Sequence, residues 1–163
     1  MSGLIVRSAR AGDAADLCGI VNAIVRERGT TARLAEMTIP AFADWYISGA
    51  QVIGCQVAVQ GGVLLGFQGL SSHAELPRGW CDIGTFARLE NPVRGVGAAL
   101  FAETRAQAKG LGFVAINATI RADNVPGLAY YAKMGFRDYK VDKAVPLGDG
   151  RMVDRINRWF DLT

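Results

Sequence analysis

The stretch Pro92-Val93-Arg94-Gly95-Val96-Gly97-Ala98-Ala99 has the residue types of a turn that grips an anion. Glycine lets backbone N–H groups approach a ligand with no Cβ in the way. A helix starting just after it adds partial positive charge, so the turn can cradle a phosphate. It is not a P-loop, because no Gly-Lys-Ser/Thr follows. It is not a dinucleotide fingerprint either, because Leu100 holds the third glycine position. A tight β-α turn packed on a sheet would read the same way.

Further on, Asn124 is followed seven residues later by Tyr131, then by Lys133, Gly135 and Phe136. That spacing is nearly two helical turns, so Asn124 and Tyr131 lie on related faces and can address one ligand. Taken singly, Asn124 reads as a helix cap and Tyr131 as a core aromatic. Asp82, Glu36 and Glu75 are carboxylates placed to accept a proton, and each also reads as a solvated surface charge. His73, the single histidine, reads as an exposed loop residue and not as a metal ligand. Cys18, Cys55 and Cys81 form no CxxC pair, so neither a zinc site nor a disulfide framework is expected.

These groups need a scaffold. Leu4–Arg10 alternates as a short strand, and Asp13 is expected to cap the helix that carries Leu17, Ile20, Val21, Ile24 and Val25. A loop over 29–38 precedes a second helix from Thr38 through Trp45. Gln51–Gln60 and Val63–Ser71 flank Gly61-Gly62, a two-residue hairpin signal. A strand over Trp80–Ala87 leads to the glycine turn and a helix ending near Lys109. Phe113–Ile120 is an apolar run expected to be buried on both faces. A helix over Asn124–Met134 stops at Gly135, and strands over Phe136–Val145 and Met152–Phe160 finish the chain. The order β-α-α-β-β-β-α-β-α-β-β predicts an α/β fold. Its mixed, largely antiparallel twisted sheet would have about seven strands and about four flanking helices, neither a doubly wound dinucleotide fold nor a barrel.

The 163 residues are half hydrophobic and one-fifth charged, with a net charge of +3. One domain over residues 1–163 is expected; disorder, collagen-like repeats and disulfide miniproteins are excluded. No basic run suits nucleic acid and no segment suits a membrane, so neither partner is expected. With early arginines in place of a signal sequence, the expected location is the cytoplasm.

Trp80–Phe136 resembles the acetyl-CoA core of the GNAT superfamily of N-acetyltransferases. Asn124, Tyr131, Lys133, Gly135 and Phe136 match its N-x(6)-Y-x-K-x-G-F helix, and the glycine turn is similar to its Q/R-x-x-G-x-G/A loop. Two registers fit the turn. Arg94-x-x-Gly97-x-Ala99 is the literal match, and Gly95-Val96-Gly97 with Pro92 in the Gln/Arg place keeps the helix in step.

The resemblance implies a GNAT-like fold and acetyl-CoA as co-substrate. It implies a diphosphate held by Val93, Arg94, Gly95, Val96, Gly97 and Ala98, with Asn124 and Tyr131 also on the cofactor. Thr85-Phe86-Ala87 would be a splayed strand end that pairs with pantetheine, the amide near Ala87 serving as oxyanion donor. Tyr131 would be the general acid; the base would be Asp82, close to where relatives often carry a carboxylate, with Glu36 and Glu75 as the other candidates. Thr30-Thr31 and Trp45 are similar to the phosphinothricin-type branch, which implies a small-molecule amine acceptor. Residues 26–45 and 140–152 would select it, with Arg26, Arg28, Arg33, Lys140 and Lys143 available for a carboxylate or phosphate. A homodimer is implied by relatives. A protein or peptide N-acetyltransferase and a non-catalytic acyl-CoA sensor remain the alternatives.

Overall fold

The hairpin expected at Gly61-Gly62 joins β2 (Val52–Gln60) to β3 (Val63–Ser71), paired antiparallel from Val52↔Ser71 to Gln60↔Val63. The structure, a computed structural model, describes residues 3–27, 31 and 35–163. The other elements are β1 (Ile5–Ser8), α1 (Ala14–Glu27), α2 (Ile39–Ala43), β4 (Trp80–Ala87), α3 (Val96–Gly110), β5 (Ala115–Arg121), α4 (Val125–Met134), β6 (Arg137–Pro146) and β7 (Met152–Asp161). Their order is the one the sequence pattern predicts. No helix among the described residues is long and apolar enough to cross a membrane.

Local chemistry sets several boundaries. Thr38 Oγ1 accepts from the Ala41 amide at 3.2 Å and starts α2, whose chain continues through Trp45 as a π-helical turn over Asp44–Ser48. Asp13 does not cap α1 as expected. A 3-10 turn over Ala11–Asp13 comes first, and the Asp13 carboxylate reaches back to the Arg10 amide at 2.7 Å and to Arg7 at 2.8 Å. Asn124 caps α4, its Oδ1 accepting from the Gly127 amide at 3.0 Å.

The seven strands lie in the order β1-β2-β3-β4-β5-β7-β6. Among the described residues the only parallel neighbours are β4 and β5, as a strand-helix-strand crossover through α3 requires. On one face, Leu70, Cys81, Ile83, Ile116 and Ile120 pack with Phe101 of α3 and Tyr131 of α4. On the other, Leu17 and Val21 of α1 and Phe42 of α2 cover Val57 and Phe67. Beyond that helical cover, the second face turns polar. Residues 117, 119 and 121 of β5 are Asn, Thr and Arg, with Thr119 exposed. The strand is buried on both faces as expected except at Thr119, but this face is polar where it meets a cavity.

Candidate functional site

β4 and β5 pair only at Trp80↔Ala115, Cys81↔Ile116 and Asp82↔Asn117, although β4 continues to Ala87 and β5 to Arg121. Beyond that last rung they part. A cavity of about 800 Å³ opens there, lined by Asp82 and Thr85 of β4, Asn117 and Thr119 of β5, and Asn124 and Tyr131 of α4. The Arg88 amide donates to the Leu65 carbonyl at 2.8 Å. By antiparallel alternation the Phe86 and Gly84 amides also point to β3, and those of Ala87, Thr85 and Ile83 point into the gap. Phe86 therefore offers the cavity its ring, stacked on Phe67 at 5.1 Å, and not its amide.

Gly95, with φ +87°, turns the chain into α3, and no side chain caps the helix. The first amides of the helix, from Val96 through Ala98, have no carbonyl of their own turn to bond. Nothing lies within 4 Å of the place a Gly95 Cβ would take. Gly97 is glycine for another reason: a Cβ there would come within 2.5 Å of the Tyr130 ring. Val96 and Leu100 are buried with Val93 packed against them, while Arg94 and Ala98 are exposed. The turn thus presents amides outward and anchors its aliphatic side chains inward.

Tyr131 is buried, and its hydroxyl lies 2.8 Å from Thr85 Oγ1. Burial raises its pKa well above the ordinary phenol range, with the Thr85 bond working the other way. Beside it, the Tyr130 hydroxyl donates to the Gly97 carbonyl at 2.7 Å. Gln68, fully buried on β3, donates from Nε2 to Tyr130 Oη at 3.0 Å and to Thr85 Oγ1 at 2.9 Å. The glycine turn and Tyr131 are joined by one hydrogen-bonded chain.

At the last rung between β4 and β5, burial pushes the Asp82 carboxyl up, with Asn117 Nδ2 donating to it at 2.7 Å. The polar row continues. Asn117 also donates to Thr119 at 3.0 Å, Thr119 donates to Asn157 at 2.7 Å, and Asn157 donates to Asp142 at 2.8 Å. Tyr139 donates to Asn117 Oδ1. Arg155, in register with both Arg121 and Asp142, lines the cavity, and its buried Nε has no hydrogen-bond partner. Its neighbours are engaged: Arg121 with Asp123 at 2.7 Å and with the Thr31 carbonyl at 2.9 Å, Lys140 with Asp142 at 3.1 Å.

The structure thus gathers Tyr131, Asp82, Phe86 and Asn124 on one cavity, with Asn124 Oδ1 occupied as a cap. Lys140 also lines it. Arg26 and Glu36 pair with each other at the surface, and Lys143 pairs with Asp154 at 3.2 Å, so these three are not among the cavity's lining. Arg28, Arg33 and Thr30 lie outside the described residues, whereas Thr31 lines the cavity. His73 and Glu75 are exposed on the loop at its rim. Burial pushes the Cys81 thiol up to about 12, which suits a core residue. Sequence reasoning missed Asn117, Thr119, Arg155, Asn157 and Gln68. For Asn117 and Thr119 the period-two recurrence of polar residues at 117, 119 and 121 was the available signal.

Residues 21–136 match the sequence model of the Acetyltransferase (GNAT) family. No curated protein sequence matches the chain. Among solved structures, the fold is similar to an N-acetyltransferase from Staphylococcus aureus Mu50, with TM-score 0.87 and 18% identity over 99% of this chain and 100% of that one. It is similar to a ribosomal-protein-alanine N-acetyltransferase from Brucella melitensis, with TM-score 0.83 and 18% identity over 96% and 99% of the two chains. It is also similar to a phosphinothricin acetyltransferase from Sinorhizobium meliloti in complex with AcCoA, with TM-score 0.83 and 20% identity over 97% and 88%. At these identities the likeness is one of fold.

Proposed function

Since the chain belongs to the GNAT acetyltransferase family, we propose that it transfers an acetyl group from acetyl-CoA to the primary amine of a small molecule, an amino acid or an analogue. The observation that carries this reading is the parting of β4 and β5 beyond Asp82 and Asn117, with Tyr131 and Asp82 on the same cavity.

The residues present fit the co-substrate. The uncapped start of α3 and the open space at Gly95 suit a diphosphate, held by the amides of Val93 through Ala98. The gap-facing backbone of Thr85 and Ala87 suits an amide-bearing arm. When bound, acetyl-CoA supplies an acyl thioester. In this reading Asp82 takes the proton shed by the amine nitrogen, directly or through water. The Ala87 amide faces the oxygen on which charge gathers; one such donor is worth about 2.7–4 kcal/mol of barrier. Tyr131, kept protonated by its burial, gives its proton to sulfur as the C–S bond breaks and the C–N bond forms. One proton leaves nitrogen and one reaches sulfur, so the reaction balances without an acyl-enzyme.

The acceptor class rests on the cavity walls. Trp45, Tyr46 and the loop from His73 to Pro77 stand around the cavity, and Arg155 offers an unpaired buried donor suited to a carboxylate. The test is thiol release from acetyl-CoA across an amine panel of phosphinothricin, methionine sulfone, methionine sulfoximine, polyamines and peptide N-termini. Amine-dependent release with the amino-acid analogues is expected. Binding of CoA with no amine-dependent release would sink catalysis, and preference for peptides would sink the small-molecule reading.

A further inference from the structure

We propose that Gln68 and Thr85 are positioning residues that direct the proton of Tyr131 into the cavity; the inference rests on reading Tyr131 as the general acid. The direction of every hydrogen bond in the chain except the last, between Thr85 and Tyr131, follows from what each atom can do, and Thr85 as donor there is the proposal. The Gly97 carbonyl can only accept, so Tyr130 must point its single proton at it. Tyr130 Oη can then only accept from Gln68, which fixes the amide with its –NH2 toward the hydroxyls. The other proton of that nitrogen meets Thr85 Oγ1. Thr85 is left with one proton and has Tyr131 Oη at 2.8 Å. With Thr85 donating, the proton of Tyr131 is free for a group in the cavity. After that proton has left, the same Thr85 bond stabilises the phenolate.

The orientation has a cost that points the same way. Gln68 Oε1 is buried with no hydrogen-bond partner. An unsatisfied buried carbonyl destabilises a fold, so an apolar residue of similar size would serve the core better. A glutamine whose nitrogen serves two hydroxyls while its oxygen serves nothing is placed for those hydroxyls. Because Tyr130 holds the Gly97 carbonyl, the chain also ties the proton donor to the turn at the start of α3.

The experiment combines turnover with NMR of the ligand-free protein carrying tyrosine labelled at Cζ. Thr85→Val is expected to lower kcat by about tenfold to a hundredfold, the range for a hydrogen bond to a charged oxygen. Its KM for acetyl-CoA should stay within about twofold, and Thr85→Ser should restore kcat. Gln68→Met should lower kcat without lowering Tm, whereas a purely structural glutamine would do the reverse. In a Tyr131→Phe background, Thr85→Val should add no further loss. The Tyr131 Cζ resonance, assigned through Tyr131→Phe, should move in both Thr85→Val and Gln68→Met. Additive losses in the double variant, or an unmoved resonance, would overturn the proposal. Slow Tyr131→Phe beside fully active Thr85→Val would overturn it while sparing the acid role. Unimpaired Tyr131→Phe would remove the acid role and this inference together.

Discussion

Asn117 Nδ2 donates to Asp82 Oδ1 at 2.7 Å across the last rung that joins β4 to β5. A half-buried carboxylate therefore stands at the apex of the gap, held by a neighbour that itself accepts from Tyr139. Burial raises the Asp82 carboxyl pKa, while Asn117, His73 and the Ile83 amide lower it. A base must be ionised to work, so kcat/KM should fall as pH drops through this raised value. Asp82→Asn should lower kcat/KM at neutral pH by about a hundredfold to ten-thousandfold and abolish that acid limb. Persistence of the limb in the variant would assign it to another group.

The same residue predicts a stability effect of opposite sign. A carboxyl with a raised folded-state pKa binds its proton more tightly when folded than when unfolded. Stability is then lost as pH rises from the unfolded value through the folded one. Asp82→Asn removes that penalty and keeps a partner for Asn117. Its Tm should exceed wild type at neutral pH, with the advantage shrinking toward acid pH. A lower Tm at neutral pH would mean that the carboxylate's hydrogen bonds outweigh its desolvation.

Arg155 gives a prediction on the acceptor. Its Nε is buried without a partner in a cavity where Arg121 and Lys140 already have carboxylates. Arg155→Met should raise KM for amines that carry a carboxylate by about tenfold to a hundredfold. Amines of similar size without the anion should be unaffected. Equal loss on both kinds of amine would make Arg155 a structural residue.

Most of the scaffold was legible from residue order, and part of the candidate site from the resemblance of two short motifs to a known family. The elements followed from local signals such as the Gly61-Gly62 turn, the Thr38 cap and the spacing from Asn124 to Gly135. Tyr131 was a candidate because the run from Asn124 to Phe136 resembles the family's N-x(6)-Y-x-K-x-G-F helix. Gln68 and Arg155 were not, because nothing local distinguishes a glutamine inside β3 from one at a surface. Their roles arise only when β3 is laid beside β4, and β7 beside β5. The error at Asp13 has a similar origin: an acidic residue before a helix marks a start, but the preceding 3-10 turn moved that start three residues earlier.

The two glycines of the turn should respond differently to the same added methyl group. At Gly95 the methyl would enter open space, so Gly95→Ala meets only the strain of φ +87°, roughly 1–2 kcal/mol. At Gly97 it would come within 2.5 Å of the Tyr130 ring. That ring is held by its hydroxyl on the Gly97 carbonyl and by Gln68, so the backbone turn must yield instead. Gly97→Ala should therefore cost about 1–3 kcal/mol, as overpacking does, and roughly 2–4 °C of Tm for each of them. It should also displace the first amides of α3, so CoA would raise the Tm of Gly97→Ala less than that of Gly95→Ala. Differential scanning fluorimetry with and without CoA measures both effects. An unchanged Tm and a full CoA shift in Gly97→Ala would show that the ring yields, and that its contact with Gly97 does not set the shape of the turn.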